Sequence, residues 1–548
     1  MRFKIKPTFI LYFSLFLMAV FAIYSCASIQ TPLGGPRDHT PPKLLQATPA
    51  NETRYFKAPE IKLDFDEYFK LSNQFQEITI SPALEKMPDY KVRQRSLIIH
   101  FKDTLQKNTT YVINFGKSII DVNEGNVLKN FTYVFSTGGH IDSLSISGTV
   151  TNVLTQEKEK DVTVMLLTPQ QDSAYFGKKK PSLYTTTDTS GNYSLGNLHE
   201  GNYNIYALKE QSANKIYDNE NELIAYKKKP IRLYKDTMGL DLVLFKQIPE
   251  NFRIIAKKFD PDGKMSFVFN QQLTQPGVKI NYPQGLNDQK IIDFSRTNDS
   301  ATVYLRSMDF DSISVSFTDK NKILDTVYLR KQRKETFKRN ITLLYNINND
   351  QRLKPNTDLS ITANVPIQTI DPSLIFLSED SVNVRPFSLQ RDTSDLRKFV
   401  FQYKWRADRV YQIVFNEGSF IDIYGDKNKR LTKSFTLDKP ENYGTITLKV
   451  ALPDTAKNYV VELLNEQKVV LRSDVIKRSG SITYKNYLAD KYYARIIYDT
   501  NGNGKWDSGS VKQKTYPENI WLSPTPIVVR PNWENTVDLS VPKETVIP

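Results

Sequence analysis

The feature that most limits the fold of this chain is the alternation of apolar and polar residues in short stretches bounded by turns. Ile61, Leu63 and Phe65 are separated by single charged residues, and the same alternation recurs at 111–115 and 131–135. Successive side chains of a β-strand point to opposite faces of a sheet, so this period gives one apolar and one polar face. No stretch of useful length has a helical period. We therefore predict an all-β chain, built as a tandem array of antiparallel β-sandwiches.

Chain length and net charge indicate how many domains and which kinds of partner to expect. The 548 residues favour several domains, and the formal net charge is +14. The basic residues are scattered along the chain, which favours anionic surfaces such as lipid headgroups or acidic glycans. No nucleic-acid recognition motif accompanies the charge, so we expect no nucleic-acid partner.

The first residues have the pattern of an export signal. Basic residues between 2 and 6 precede an apolar run that ends at Ile23, and Cys26 follows as the only cysteine of the chain. The run is shorter than the roughly 20 residues of a bilayer-spanning helix. We predict a signal peptide at 1–25 and a Pro- and Gly-rich tether at 26–42.

The residues before Cys26 also resemble a known processing site. Ile23-Tyr24-Ser25-Cys26 resembles the loose lipobox of Bacteroidetes lipoproteins. The resemblance implies lipidation at Cys26 and a lipid anchor in the outer membrane, with the face of that membrane left open. The alternative is an ordinary secretory leader with an incidental cysteine.

Two families resemble the segments that follow the tether. In 43–137, the stretches TPPKLLQATPAN, LDFDEYF and YVFSTG resemble bacterial Ig-like (Big-type) domains. In 141–246, ISGTV and TTTDTSGNYSLGNLHEGNYNIYALKE are similar to carboxypeptidase-regulatory or transthyretin-like sandwiches. A β-rich spacer at 247–337 resembles no family that we know and ends in a basic run.

The last part of the chain repeats the first two segments. Tyr111 recurs as Tyr411, and Phe135 recurs as Phe435, in the same order. A second ordered series relates the other pair; its members are Tyr203 and Tyr492, Tyr217 and Trp506, and Asp218 and Asp507. We predict a second Ig-like sandwich at 338–439 and a second transthyretin-like sandwich at 440–548.

The sequence offers no catalytic constellation. There is no HExxH or GxSxG motif, and the four histidines are dispersed: His39, His100, His140 and His199. Asp64, Asp66 and Glu67 are close together, but in an alternating strand they are expected to face solvent. We expect a protein that is not an enzyme.

One loop has the spacing of a calcium site. Asp499, Asn501, Asn503 and Asp507 occupy positions 1, 3, 5 and 9 of an EF-hand-type loop, and Lys505 would offer its backbone carbonyl at position 7. Position 6 is glycine, but a serine replaces the usual glutamate at position 12. The pattern therefore predicts weak Ca²⁺ binding in the 499–507 loop, and we expect this loop to lie outside the sandwich core.

Two alternatives bear on this loop. An Asn-Gly-rich hairpin turn that binds nothing accounts for the same residues equally well. In the preceding copy Lys215 stands where Gly504 would be expected, which removes the conformational freedom of glycine and adds a positive charge. We expect the first copy to be free of metal.

These features favour a non-catalytic outer-membrane lipoprotein that serves as a structural, docking or adhesion component of the cell envelope. Its partners would be the membrane, through the lipid on Cys26, and envelope or outer-membrane proteins. The alternative is a glycan-binding accessory lipoprotein of a nutrient-uptake system. That role needs an exposed aromatic platform, for which the candidates are Trp405, Trp506, Trp521 and Trp533.

Overall fold

A computed structural model describes residues 38–84, 86–219, 221–260, 262–331 and 339–544. The predicted signal peptide, Cys26 and most of the tether lie outside the described residues. Strands dominate the described part, which confirms the all-β prediction. Two compact units follow each other, the first ending at Ile141 and the second beginning at Asp142.

Helices are few and short in the part of the chain that the structure describes. The α-helices are α1 (Gln74–Glu77) and α2 (Pro169–Tyr175), and the 3₁₀ helices are Gln284–Gln289, Pro372–Leu374 and Pro440–Asn442. Thr168 caps α2 in a capping box with Gln171. Among the described residues, no helix combines the length and apolar character needed to cross a bilayer.

The described residues of the first unit form ten strands in three antiparallel sheets, ordered β1-β2-β6-β5, β10-β7-β4 and β3-β8-β9. Its core is aromatic, because Tyr111, Tyr133 and Phe135 are almost completely buried between the sheets. The strands are β1 (Leu44–Thr48), β2 (Glu60–Phe65), β3 (Phe69–Leu71), β4 (Thr79–Ser81), β5 (Asp89–Arg93), β6 (Ser96–His100), β7 (Thr110–Asn114), β8 (Ile119–Asp121), β9 (Val127–Leu128) and β10 (Thr132–Ser136).

The second unit begins with a sandwich at 142–246. Its strands follow the order β13-β12-β15-β16-β18-β11-β14, and β17 pairs with β15. The strands are β11 (Leu144–Asn152), β12 (Thr163–Leu167), β13 (Leu183–Thr186), β14 (Asn192–Leu198), β15 (Gly201–Lys209), β16 (Leu223–Tyr226), β17 (Ile231–Leu233) and β18 (Leu242–Lys246).

The segment at 247–331 also folds as two facing sheets, ordered β19-β20-β23-β22 and β21-β24-β25. Phe267, Phe269 and Phe317 pack between them. The strands are β19 (Ile254–Phe259), β20 (Met265–Phe269), β21 (Pro276–Tyr282), β22 (Lys290–Phe294), β23 (Ser300–Leu305), β24 (Ser312–Asp319) and β25 (Lys322–Arg330).

The segment at 339–439 has sheets ordered β26-β28-β33-β32, β27-β36-β34-β30-β31 and β29-β35. The strands are β26 (Leu343–Tyr345), β27 (Arg352–Leu353), β28 (Leu359–Ala363), β29 (Ile367–Ile370), β30 (Ile375–Glu379), β31 (Val382–Asn383), β32 (Ser388–Arg391), β33 (Lys398–Gln402), β34 (Val410–Phe415), β35 (Phe420–Asp422) and β36 (Leu431–Leu437).

The last segment, at 440–544, has sheets ordered β40-β37-β44 and β39-β38-β41-β42, with β43 paired to β41. The strands are β37 (Tyr443–Ala451), β38 (Asn458–Leu464), β39 (Val470–Ile476), β40 (Gly480–Leu488), β41 (Lys491–Asp499), β42 (Ile520–Leu522), β43 (Ile527–Val528) and β44 (Glu534–Ser540).

Strand orders repeat within the two predicted pairs. The order β1-β2-β6-β5 corresponds to β26-β28-β33-β32, and β10-β7-β4 corresponds to β36-β34-β30. In the other pair, β11 runs parallel to β18 and antiparallel to β14, as β37 does to β44 and β40. Tyr203 and Tyr492 each donate a hydroxyl hydrogen bond to the carbonyl four residues earlier. The domain boundaries themselves stay a prediction.

The 142–246 and 440–544 sandwiches pack against each other. Tyr206, Tyr226 and Phe245 form a second core on the outer face of the first sandwich, and Val511 and Trp506 of the last segment cover it. All five residues of β12 are therefore buried, since the strand has a core on both faces. This packing includes Trp506 of the 499–507 loop, which is the predicted calcium site.

Candidate functional site

The predicted calcium loop begins at the end of β41 with a buried carboxylate. Asp499 is 2% exposed, and its oxygens accept N–H groups of Gly502, Asn503 and Gly504 at 2.7, 3.1 and 2.9 Å. Both glycines have left-handed φ angles, of 73° and 74°. The expectation that the loop lies outside the core is wrong at this residue, because Asp499 closes the end of a buried strand and holds the turn.

The middle of the loop converges on Asp507. One carboxylate oxygen of Asp507 accepts the side-chain amides of Asn501 and Asn503 at 2.5 and 2.7 Å. The amide oxygens accept backbone N–H groups in turn, that of Asn501 from Asn503 and that of Asn503 from Lys505. Three of the predicted ligands thus meet at one point, while Asp499 is directed to the backbone. In this arrangement amide nitrogens, not oxygens, face Asp507.

A third carboxylate, which sequence reasoning missed, belongs to the same loop. Glu518 accepts the N–H groups of Thr500 and Asp507 at 2.6 and 3.1 Å. Burial raises its pKa, and the negative charges of Asp507 and Asp499 raise it further. Within the described part of the chain, no basic side chain forms an ion pair with these three carboxylates. The loop therefore concentrates negative charge.

The first copy has counterparts of several of these hydrogen bonds. Glu210 accepts the N–H of Lys215 at 2.6 Å, and Asp218 accepts the side-chain amide of Asn214 at 2.8 Å. Glu222 accepts the N–H groups of Gln211 and Asp218, as Glu518 does in the second copy. An alignment of the copies on these glutamates would have found Glu518. The spacing differs between the copies, because residues 508–517 separate Asp507 from Glu518, whereas only residues 219–221 separate Asp218 from Glu222.

Lys215 corrects one expectation. Its φ of 61° lies in the left-handed region, so lysine adopts the same backbone conformation as Gly504. Its side chain is buried, and its ammonium lies 5.2 Å from the centroid of the Tyr184 ring. The substitution changes the chemistry of the loop without changing its course.

The residues inserted in the second copy form a hairpin that docks on the 142–246 sandwich. Ser510 and Thr515 exchange backbone hydrogen bonds of 2.9 and 3.0 Å across it. The Tyr226 hydroxyl donates to the Ser510 carbonyl at 3.2 Å, and the Val511 N–H donates to Gln247 Oε1 at 2.9 Å. Lys514 Nζ donates to the Tyr206 hydroxyl at 3.0 Å. We call residues 508–517 the docking hairpin.

The side chains considered for catalysis are dispersed or structural. All four histidines are exposed, and His199 contacts Asp142 at 3.0 Å. Asp64 accepts the Ser96 hydroxyl, which lowers the pKa of that carboxyl, and Asp66 accepts the Lys43 N–H at 2.7 Å. Among the described residues, no group of three or more His, Cys, Asp and Glu side chains is arranged to hold a metal ion.

The tryptophans do not form a platform. Trp405 packs among Phe401, Tyr403, Tyr411 and Phe435, and the indole of Trp506 donates to the Glu518 carbonyl at 3.1 Å. Trp521 is half-buried against the core of the last sandwich. Trp533 is 62% exposed, so it is the one solvent-facing member of the predicted set.

Comparison with known proteins bears on the first unit. Residues 38–137 match the family model Big_5, described as a bacterial Ig-like domain. No curated protein matches the chain.

Several solved structures show weak similarity. The Bacillus anthracis TIE protein is 10% identical, with 96% of this chain and 78% of that chain covered and a TM-score of 0.14. BcpA, the major pilin subunit of Bacillus cereus, is 12% identical, with 73% and 98% covered and a TM-score of 0.13. The N-terminal part of the bacterial S-layer protein SbsC is 12% identical, with 44% and 50% covered and a TM-score of 0.14. Similarity at these scores supports no inference about function. The match at 38–137 is therefore the finding that confirms the Big-type part of the predicted resemblance.

Proposed function

We propose that this chain is a non-catalytic lipoprotein of the outer membrane, anchored through Cys26, which serves as a structural, docking or adhesion component of the envelope. The observation that carries the proposal is that neighbouring segments of the second unit are joined by specific contacts. Arg397 binds Asp293 at 2.6 Å, and Asn486 donates to the Pro355 carbonyl at 2.6 Å. Together with the docking hairpin, these polar contacts join neighbouring sandwiches of the second unit. Such joining supports a structural role.

The segments at 141–246 and 440–548 are, in this proposal, transthyretin-like sandwiches. The shared parallel pairing of β11 with β18 and of β37 with β44 supports a common fold for the two. Sandwiches of this kind would present sheet edges and loops to envelope proteins.

Membrane fractionation of a Cys26→Ala variant tests the anchor. Lipidation requires the thiol of this residue, so the variant is expected as a soluble or uncleaved protein in place of a membrane-bound mature form. Normal cleavage and membrane retention of the variant would refute the anchor. Affinity capture on the anchored protein, with bound proteins and bound glycans identified separately, then tests the partner class.

Calcium binding to the 499–507 loop is a further part of the proposal. The negative charge of the three carboxylates supports it. These carboxylates are not arranged to hold a metal ion in the described conformation, which would have to change so that both asparagines present oxygen in place of nitrogen. A hundredfold excess of Ca²⁺ over Kd would stabilise the protein by about 2.7 kcal/mol. Thermal unfolding of the full chain with Ca²⁺ and with chelator measures this gain. Asp507→Asn should remove it, the matched Asp218→Asn should retain it, and an unchanged midpoint in the native chain would show a turn that binds nothing.

A further inference from the structure

Two exposed tyrosines lie in one row across the sheet β21-β24-β25 of the 247–331 segment. The backbone register pairs Ser314 of the middle strand with Tyr282 of β21 on one side and with Tyr328 of β25 on the other. Tyr282 is 60% exposed and Tyr328 is 72% exposed, whereas Ser314 is buried between them. Adjacent strands are roughly 4.8 Å apart, so the backbones that carry the two tyrosines are separated by about 10 Å. We call Tyr282, Ser314 and Tyr328 the tyrosine row.

The middle strand contributes only small hydroxyl side chains to the outer face of this sheet. Val315 and Phe317 of β24 belong to the core, so the residues that alternate with them lie on the opposite face. These outer residues are Ser312, Ser314, Ser316 and Thr318. Small side chains in the middle leave room for a ligand to lie across the sheet from one tyrosine to the other.

Uncharged polar groups beside the tyrosine row are held by hydrogen bonds. The side-chain amide of Asn281 donates to the Ser316 hydroxyl at 2.6 Å, and the hydroxyls of Ser316 and Thr326 are 2.7 Å apart. Asn281 and Thr326 are half-buried, so part of each side chain meets the solvent. Amide and hydroxyl groups both donate and accept hydrogen bonds, as the hydroxyls of a sugar do.

The charges on this face lie outside the tyrosine row. Lys279 is in register with Ser316, and Arg330 is in register with Ser312, so the two cations occupy the rows on either side. A ligand along the tyrosine row therefore meets aromatic rings and a hydroxyl. A sugar ring has an apolar C–H face that packs on aromatic rings and hydroxyls at its edge, so it matches both kinds of group.

We propose that the tyrosine row binds an uncharged, extended β-linked polysaccharide. One sugar ring would lie on each tyrosine, and the ring between them would lie above Ser314. Successive rings of an extended β-1,4-linked chain are turned over, so alternate rings present the same face to the protein. The strand spacing sets the tyrosines about 10 Å apart, which suits alternate rings of such a chain.

This inference goes beyond the structural role and gives the 247–331 segment a function of its own. It also supplies the exposed aromatic platform that the tryptophans do not form. Its failure would leave the lipid anchor and the structural role untouched, because neither depends on these side chains.

Calorimetric titration of the full chain with cellohexaose and with chitohexaose tests the proposal. The two probes distinguish a plain glucan from an N-acetylated glycan, and maltohexaose is the comparison of equal length. We expect at least one β-linked probe to bind, and maltohexaose to bind at least tenfold more weakly because its chain coils. The disaccharide of the bound sugar should also bind at least tenfold more weakly, since it cannot reach both tyrosines. Added salt should leave the affinity unchanged, because the ligand carries no charge.

Tyr328→Ala and Tyr282→Ala should each weaken binding about tenfold. Both side chains are exposed, so the thermal unfolding midpoint should stay as in the native chain. The matched control is Tyr234→Ala, since Tyr234 is 59% exposed on the 142–246 sandwich. This control should bind as the native chain does.

Four results would overturn the proposal. They are the absence of binding by both β-linked probes, equal affinity for maltohexaose, undiminished binding by both tyrosine variants, and equal loss in the Tyr234→Ala control. Binding to phospholipid vesicles that depends on the two tyrosines, without binding to a saccharide, would overturn the saccharide assignment in favour of a membrane contact.

Discussion

The docking hairpin offers the strictest test of how the second unit is held together, through the change Gly509→Ala. A Cβ at Gly509 would lie 2.6 Å from the Thr515 carbonyl oxygen, 2.8 Å from the Pro517 nitrogen and 2.9 Å from the Phe245 ring. Two of these atoms are backbone and the ring is 2% exposed, so no flexible group can move aside. Overpacking of this kind costs about 2 kcal/mol.

This cost should appear as local opening of the hairpin. Hydrogen–deuterium exchange of the full chain can follow the Val511 amide, which donates to Gln247, and the Lys228 amide, which donates to the Tyr516 hydroxyl at 3.1 Å. A loss of about 2 kcal/mol corresponds to exchange about 30-fold faster at these amides. Gly480→Ala is the matched control, since the nearest atom to its Cβ would be 4.0 Å away. Unchanged exchange at both amides in Gly509→Ala would refute the docking geometry.

Three further changes address other contacts. Glu379→Gln should cost about 1–2 kcal/mol at pH 7, because the bond from Arg406 holds the pKa of this carboxyl below its ordinary value. That stabilisation is present above the unfolded pKa and is lost as the pH falls through the lowered folded pKa. The urea unfolding curves of the variant and the native chain should therefore converge in acid. Curves that stay apart in acid would contradict this reasoning. Arg397→Ala should leave Asp293 without its ion-pair partner and cost about 3 kcal/mol in the same assay, whereas a cost near zero would show that the contact is dispensable. Asp499→Ala should destabilise the last sandwich even with chelator present, since the N–H groups of Gly502 and Gly504 lose their acceptor, and an unchanged midpoint would contradict this structural role.

Alternation predicted the strands well because it depends only on which face of a sheet is buried. The stretch of Ile61, Leu63 and Phe65 became β2, and all three residues face the core. Alternation does not predict the burial in β15, where Ile205 to Leu208 are all buried. Burial on both faces follows from contact with a segment far away in the chain, which local periodicity does not report.

Calcium binding at 499–507 stays a prediction, but the turn that the spacing indicates is present there. Spacing located Asn501, Asn503 and Asp507, which do converge, because a turn with glycines at fixed positions directs alternate side chains inward. Glu518 was missed, since the docking hairpin separates it from the motif. The inserted docking hairpin also brings the chain back to the loop, so that Glu518 accepts the Asp507 N–H.

The two copies of the loop share left-handed backbone conformations at two equivalent positions but have different side chains there. Left-handed φ costs a non-glycine residue roughly 1 kcal/mol, yet Ala213 and Lys215 adopt it at 53° and 61° where the second copy has glycines. In the first copy the buried Lys215 gains contact with Tyr184, which offsets part of that cost. The equivalent position of the second copy is Gly504, and the neighbouring Lys505 is exposed. In the first loop this position therefore contributes to packing, whereas the second loop continues into the hairpin that joins the two sandwiches.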